Sequence, residues 1–240
     1  MAGELNPACI VGLDLILDLA SAPYIEHLNI VTLNHDTLVE QFLDENEVDF
    51  IDGFGERDGD VRWYKDTVYD AGSPKVRVLK LHGSIDWYSF PVDGRLKSAI
   101  FRGTEVETIL DGQGTHLIPQ YRRPSFLSGI NKAVAYQRGI YADMHFRFHQ
   151  LLRECTHILM SGYGWGDTAI NFRLDTWLDQ DQKNNIILLH ETPEELVERS
   201  LVMAVGYDAW RKSGQLTPIT KWLSETSLSD FEHHFGPHRA

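Results

Sequence analysis

Three short polar segments hold the residues of this chain whose types and spacing could do chemistry. They are Thr32-Leu33-Asn34-His35-Asp36, Leu81-His82-Gly83-Ser84 and Gly162-Tyr163-Gly164-Trp165-Gly166-Asp167. Asn34 and Asp36 stand two apart, so in extended backbone they point to one side. An amide beside a carboxylate can hold a ribose hydroxyl, a water or a ligand carboxamide. The same two residue types are also ordinary turn and cap residues, and the segment reads both ways. A histidine has an ordinary pKa of about 6.5, a residue type suited to taking a proton near neutral pH, and His82 is the candidate here. Gly83 after it lets a ligand come close to the backbone, although a structural histidine would look the same. The third segment reads G-x-G-x-x-D. Glycines between a strand and a helix expose backbone N–H groups to an anion or hydroxyl, and Asp167 is equally a helix cap. The final glycine of the dinucleotide fingerprint is missing.

Each segment follows a run of β-type residues, at 27–31, Val76–Lys80 and 156–161. Ligands of a parallel α/β sheet bind beyond the carboxyl ends of its strands, so the three polar ends are expected to converge on one crevice. The elements that must position them follow from periodicity. Helices are expected at 10–21, 37–43, 143–153, 168–178 and from Pro193 to about Ala204, and strands at 28–33, 75–81, 157–160 and 185–189. Residues 85–90 read as a short extended segment. In the first helix Asp14 and Asp18 share one face and Leu13, Ile16, Leu17 and Ala20 the other. Asp36 and Asp167 stand at the starts of their helices. Continuous apolar strands alternating with helices predict an α/β fold, a Rossmann-like parallel sheet with helices on both faces. Residues 45–75 are rich in Gly, Asp and aromatics and read as loops and short strands, and 91–125, with its glycines and prolines, as an irregular segment; the two are expected to form an insertion or lid, and a loop as long as 91–125 is uncommon unless it is functional or mobile. The whole chain reads as a single domain of 240 residues.

Bulk properties exclude several classes. The net charge of −13 repels a phosphate backbone and argues against nucleic acid as a partner. Arg122-Arg123 and Arg211-Lys212 read as solvated surface pairs. The longest apolar stretch, 10–22, is interrupted by Asp14 and Asp18 and falls short of the ~18 residues of a membrane span; it has no basic leader either. Two cysteines, Cys9 and Cys155, cannot build a zinc ribbon, and their scarcity suits a reducing cytoplasm. Cys155 reads as a buried small hydrophobe. His145 and His149 have the i, i+4 spacing of a metal pair but no accompanying Glu, so a helix surface or interface is the favoured reading. His233, His234 and His238 read as a solvated tail. Trp63, Tyr64, Trp87 and Tyr88 could stack on a base, and core packing is the simpler account.

Taken together and in order, T-x-N-x-D at 32–36, K-L-H-G-S-I-D-W at 80–87 and G-Y-G-W-G-D-T-A-I-N at 162–171 resemble the sirtuin-like domain family. The resemblance spans about residues 10–190. It points to the bacterial members without a zinc module, which often consume NAD in phage defence. It implies NAD as substrate and hydrolysis to nicotinamide and ADP-ribose. Under that resemblance Asn34 orients the nicotinamide ribose or the attacking water, Asp36 contacts the carboxamide, and His82 is the general base. Gly162, Tyr163 and the turn to Asp167 hold the adenosine side, with Asp167 and Asn171 supporting the loop. Thr32, Gly83, Ser84 and Gly164 complete the NAD-binding positions. The missing zinc module points away from protein deacylation, although that module is structural rather than chemical.

His35 stands where the family has tyrosine or isoleucine, and Trp165 varies the glycine turn. Family members also begin with a strand and a G-A-G-x-S phosphate loop, which has no counterpart here. The expectation is a chain lacking its first β-α unit: a fragment, a degenerate relative, or a protein given that strand by a partner or a second copy. Two inner strand edges would then be exposed. The reading from a second class is a non-catalytic domain that senses a nucleotide or serves as a scaffold.

Overall fold

The computed structural model of the chain describes residues 12–70, 74–127 and 136–231. In chain order the elements are α1 (Asp14–Ser21), β1 (Leu28–Thr32), α2 (Leu38–Glu45), β2 (Phe50–Ile51), β3 (Phe54–Asp58), β4 (Val61–Tyr64), a 3₁₀ turn (Asp66–Asp70), β5 (Val76–Lys80), β6 (Trp87–Val92) and β7 (Arg95–Phe101). There follow α3 (Gly139–Glu154), β8 (His157–Ser161), α4 (Thr168–Gln180), β9 (Asn185–Leu189), α5 (Pro193–Val197), α6 (Leu201–Ser213) and β10 (Leu216–Ile219). The class is α/β with parallel sheets and flanking helices, as expected. The elements fall into two compact units. One is Glu26–Phe148; among the described residues the other joins 12–25 to 149–231.

In the Glu26–Phe148 unit β5 lies between β1 and β2, all parallel. Its sequence, VRVLK, is β-branched and apolar enough to be central, and Val76, Val78 and Leu79 are buried. A second, antiparallel sheet runs β3-β4-β7-β6. One face packs Val61, Tyr88, Phe90, Ala99, Phe101, Ile109 and Leu117 together, with Trp63 against them. Trp87 is buried too, so three of the four ring residues that might have stacked on a base belong to this unit's packing.

β2, β3 and β4 are the short strands expected within 45–75, whereas the start of 91–125 is more regular than its glycines and prolines suggest. β6 and β7 form a hairpin through Asp93-Gly94, whose φ angles are +53° and +71°. Asp-Gly with positive φ at both positions is the favoured two-residue turn, because its twist matches the strands. Gly94 therefore marks a hairpin, where composition alone predicts a loop.

In the other unit β9 lies between β8 and β10, again all parallel. Ile186, Ile187, Leu188 and Leu189 are all buried, which explains the unbroken apolar run. β10 is absent from the expected elements because Pro218 interrupts it. As an edge strand it tolerates a residue without an N–H. In α1 the buried residues are Leu15, Ile16 and Leu19, with Asp14 and Asp18 exposed. The stripe is thus rotated from the expected Leu13, Ile16, Leu17 and Ala20, because Leu15 and Leu19, four apart, share a face with Ile16. α6 starts at Ser200, whose hydroxyl accepts from the Met203 N–H at 3.3 Å, and stops at Gly214 in the left-handed region.

Among the described residues β1 pairs only with β5, and β8 only with β9. No helix there is long and apolar enough to cross a membrane. Cys155 is half-buried, and burial pushes its thiol up to about 11. Cys9, His233, His234 and His238 lie outside the described residues.

Candidate functional site

β1 and β5 are parallel with Thr32 level with Lys80, so the chain leaves the sheet at neighbouring points. Hydrogen bonds continue past the strand ends. Leu81 N–H donates to the Thr32 carbonyl at 3.1 Å. Ile85 N–H and the Ser84 hydroxyl both donate to the His35 carbonyl, at 2.8 and 3.2 Å. The T-x-N-x-D turn is thereby tied to the H-G-S turn. Lys80 adds a further tie: its buried ammonium donates to the Asp36 carbonyl and pairs with the Glu40 carboxylate at 3.0 Å. Burial raises the pKa of Glu40, and the attraction of Lys80 does not offset it.

Within this frame Asp36 Oδ1 accepts from Leu38 N–H at 3.1 Å, so one of its oxygens starts α2. The side chain of Asn34 is exposed; its own N–H donates to Thr32 Oγ1 at 3.0 Å. Ser84 is fully buried as a brace. Gly83 has φ +81°, and a Cβ there would stand 2.5 Å from the Ser125 carbonyl oxygen. What comes close to Gly83 is therefore the chain's own 125–126 segment, which pairs with it as an isolated bridge to Phe126.

His82 is 3% exposed. Its carbonyl accepts from Leu127 N–H at 2.7 Å, and the Leu127 carbonyl meets His35 Nε2 at 3.1 Å. His82 Nε2 lies 2.9 Å from the Tyr136 hydroxyl, with the two rings 12° from parallel. Tyr136 in turn lies against His145, ring centroids 3.9 Å apart, and His145 is buried on α3. His35 stands 6.2 Å from His82. Sequence reasoning missed Tyr136: it lies 54 residues from His82, and no motif connects them. In the sequence His145 stands out only by its spacing from His149. The structure buries His145 and exposes His149, and among the described residues no group of three metal-ligating side chains forms.

The other unit holds the third segment. β8 ends at Ser161, and Gly162 turns the chain with φ +67°. Asp167 caps α4, its Oδ1 accepting from Ala169 N–H at 3.1 Å and Ile170 N–H at 3.2 Å. The Tyr163 hydroxyl bonds to the Asp167 carbonyl at 3.0 Å and to Asn171 Oδ1 at 2.6 Å. Burial raises its pKa, and the charge of Asp167 adds to this. Asn171 Nδ2 donates to the Trp165 carbonyl and to Ser200 Oγ, at 2.7 and 2.9 Å. Trp165 adopts φ +53°, uncommon for a residue with a Cβ, and its buried indole donates to Met160 Sδ at 3.3 Å. Tyr163, Trp165 and Asn171 thus brace the loop from inside. Around Gly162 and Gly166 a Cβ would meet nothing within 4 Å, so both face open space.

A cleft of about 560 Å³ opens elsewhere in the Glu26–Phe148 unit, lined by Trp63, Tyr64, Lys65, Lys97 and Asp111 among others. None of the strand-end residues lines it. Arg122, at the surface, pairs with Glu107 at 2.9 Å.

The model of one protein family, described as the SIR2-like domain, matches residues 28–210, a stretch that contains all three segments. No curated protein matches the chain.

Proposed function

The chain belongs to the SIR2-like domain family, and from that premise we propose that it binds NAD and hydrolyses it to nicotinamide and ADP-ribose. The observation that carries this reading is the tied pair of strand ends, with the Asn34–Asp36 turn bonded to the His82–Ser84 turn beyond in-register parallel strands. Cleavage of the C1′–nicotinamide bond passes through an oxocarbenium-like state. Such a state needs fixed polar groups near the ribose and little bulk water.

In this reading Asn34, exposed beside Thr32, orients the ribose or the attacking water. Asp36 keeps one oxygen on α2 and offers the other to the carboxamide. His82 takes the proton of the attacking water, and the products are nicotinamide, ADP-ribose and a proton. Gly83 and Ser84 hold His82 in place. Gly162, Tyr163, Gly164, Asp167 and Asn171 keep the adenosine-side role that the resemblance implies. The biological setting, antiphage defence or a stress response, rests on the family resemblance.

The test is nicotinamide release from NAD by the full chain, followed by chromatography, with N34A and H82A beside it. Release that falls at least ~100-fold in both variants supports the reading, the size expected for loss of a positioned acid–base group. Release that survives H82A removes the general base. NAD binding without release moves the protein to the nucleotide-sensing class, and neither binding nor release to a scaffold.

A further inference from the structure

The cleft of about 560 Å³ in the Glu26–Phe148 unit is lined by none of the strand-end residues, and its size is that of a small-molecule pocket, roughly 300–1,000 Å³. Strand register sets its chemistry. β4 and β7 pair with Val61 level with Phe101 and Trp63 level with Ala99. Two residues further on, Lys65, just past the end of β4, falls level with Lys97, and both line the cleft beside Trp63. Like charges directly opposite each other in a sheet are unfavourable. Among the described residues neither ammonium has an ion pair.

The half-buried indole of Trp63 lies between the two ends of the cleft. Its N–H donates to Asp58 Oδ2 at 2.8 Å, and its ring meets that of Phe90 edge-on at 5.7 Å, so the plate is held in place. The acids of the lining are employed differently from the lysines. Asp58 Oδ1 accepts from Gly112 N–H at 2.9 Å, and Asp111 Oδ1 accepts from Gln113 and Thr115 N–H at 2.9 and 2.7 Å, so both fasten the 111–115 loop. Asp58 is level with Val61, four residues before Lys65, which is about 13 Å at ~3.3 Å per residue. Glu56 stands out in solvent. The cleft thus has a flat aromatic middle, one end whose carboxylates are bonded to backbone N–H groups, and another end with two ammonium groups.

We propose that this cleft binds a small planar aromatic anion, its ring on the Trp63 indole and its phosphate or carboxylate between Lys65 and Lys97. A ring stacked on an indole gains more than its buried area alone provides. An anion between two ammonium groups replaces their repulsion by two attractions. The lysines alone would take any anion and the indole any ring; their adjacency selects a ligand that carries both. The site is separate from the NAD reading, since no residue assigned to NAD lines it.

The experiment is isothermal titration calorimetry of the full chain at low salt, where exposed charges are least screened. The probes are adenosine 5′-monophosphate, indole-3-acetate, adenosine and inorganic phosphate. At least one of the two aromatic anions is expected to bind about tenfold or more tightly than adenosine or phosphate alone. Tighter binding of the monophosphate makes the anionic group a phosphate, and tighter binding of indole-3-acetate makes it a carboxylate. K65Q/K97Q should weaken that binding about tenfold or more, while N34A binds as the parent does. Both lysines are exposed, so K65Q/K97Q leaves the packing intact, which its circular dichroism checks. Absence of binding by both aromatic anions overturns the proposal, as does equal binding by adenosine or phosphate. So does an affinity that K65Q/K97Q leaves unchanged, or one that N34A lowers as much, which would put the ligand at the strand ends. If the parent releases no nicotinamide, the hydrolase reading fails and the titration still decides the cleft.

Discussion

Gly83 and Gly94 both have positive φ, +81° and +71°, but their surroundings differ. A Cβ at Gly94 meets nothing within 4 Å, whereas one at Gly83 stands 2.5 Å from a backbone carbonyl oxygen. G94A is therefore expected to cost about 1 kcal/mol of backbone strain. G83A should cost at least ~2 kcal/mol more, because backbone cannot move aside cheaply; denaturant unfolding of the two variants measures the gap. Cys155 gives a second outcome at this scale. With the thiol pushed up to about 11, only about one molecule in a thousand is thiolate at pH 8. Alkylation of the Cys155 peptide by iodoacetamide, read by mass spectrometry, should be about a hundredfold slower than in the unfolded chain. It should rise about tenfold per pH unit between 8 and 10. Asp167 was legible beforehand because a cap is a local pattern: an aspartate followed at once by an apolar helical run. Tyr136 was not, because its meaning arises only when α3 and the end of β5 come together.

The pair Lys80–Glu40 links β5, α2 and the turn that carries Asn34, with both side chains almost fully buried. Burial shifts Glu40 upward more than Lys80 pulls it down, so the pair is a fastener rather than a source of net stability. K80M alone, which leaves a buried carboxyl without its partner, should cost about 3 kcal/mol in urea unfolding. K80M/E40L should recover most of that stability and yet release nicotinamide more slowly than the parent, because the tie to the Asp36 carbonyl is gone. Equal rates in the double variant and the parent would show that the turn holds itself. The strands β1, β5, β8 and β9 were readable from apolar runs. β7 was not, although Asp93-Gly94 followed by an alternating segment is a hairpin signal. The glycines and prolines around it read as loop because sequence composition averages over the very residues that make a tight turn. β10 was hidden by its proline for the same reason.

For the molecule as a whole, the α/β class could be read from the alternation of strands and helices, since each strand run carries its burial in its own composition. The partition into two compact units could not, because it depends on which elements contact which, and among the described residues 12–25 join those from His149 on across more than a hundred intervening positions. Two three-stranded parallel sheets result, one in each unit, and in each a strand that ends in candidate chemistry is paired on one side only among the described residues. In β1 the parallel ladder uses the backbone groups of Leu28 and Thr32 toward β5, so by alternation those of Asn29 and Val31 face the other way.

Those outward-facing groups have a colloidal consequence. A short strand with one side unpaired among the described residues is a template for another chain, and what opposes contact is the mutual repulsion of molecules carrying a net charge of −13. Salt removes that repulsion beyond about 8 Å at physiological ionic strength and about 3 Å at 1 M, and leaves the hydrogen-bonding capacity of the strand untouched. Concentrated solutions of this chain should therefore scatter more light as sodium chloride is raised, with β-rich infrared absorption in the particles. Solutions that clear on adding salt would mean that charge attraction, not strand pairing, draws the molecules together. In its own composition the chain carries a dispersant for the strand edges left unpaired among its described residues.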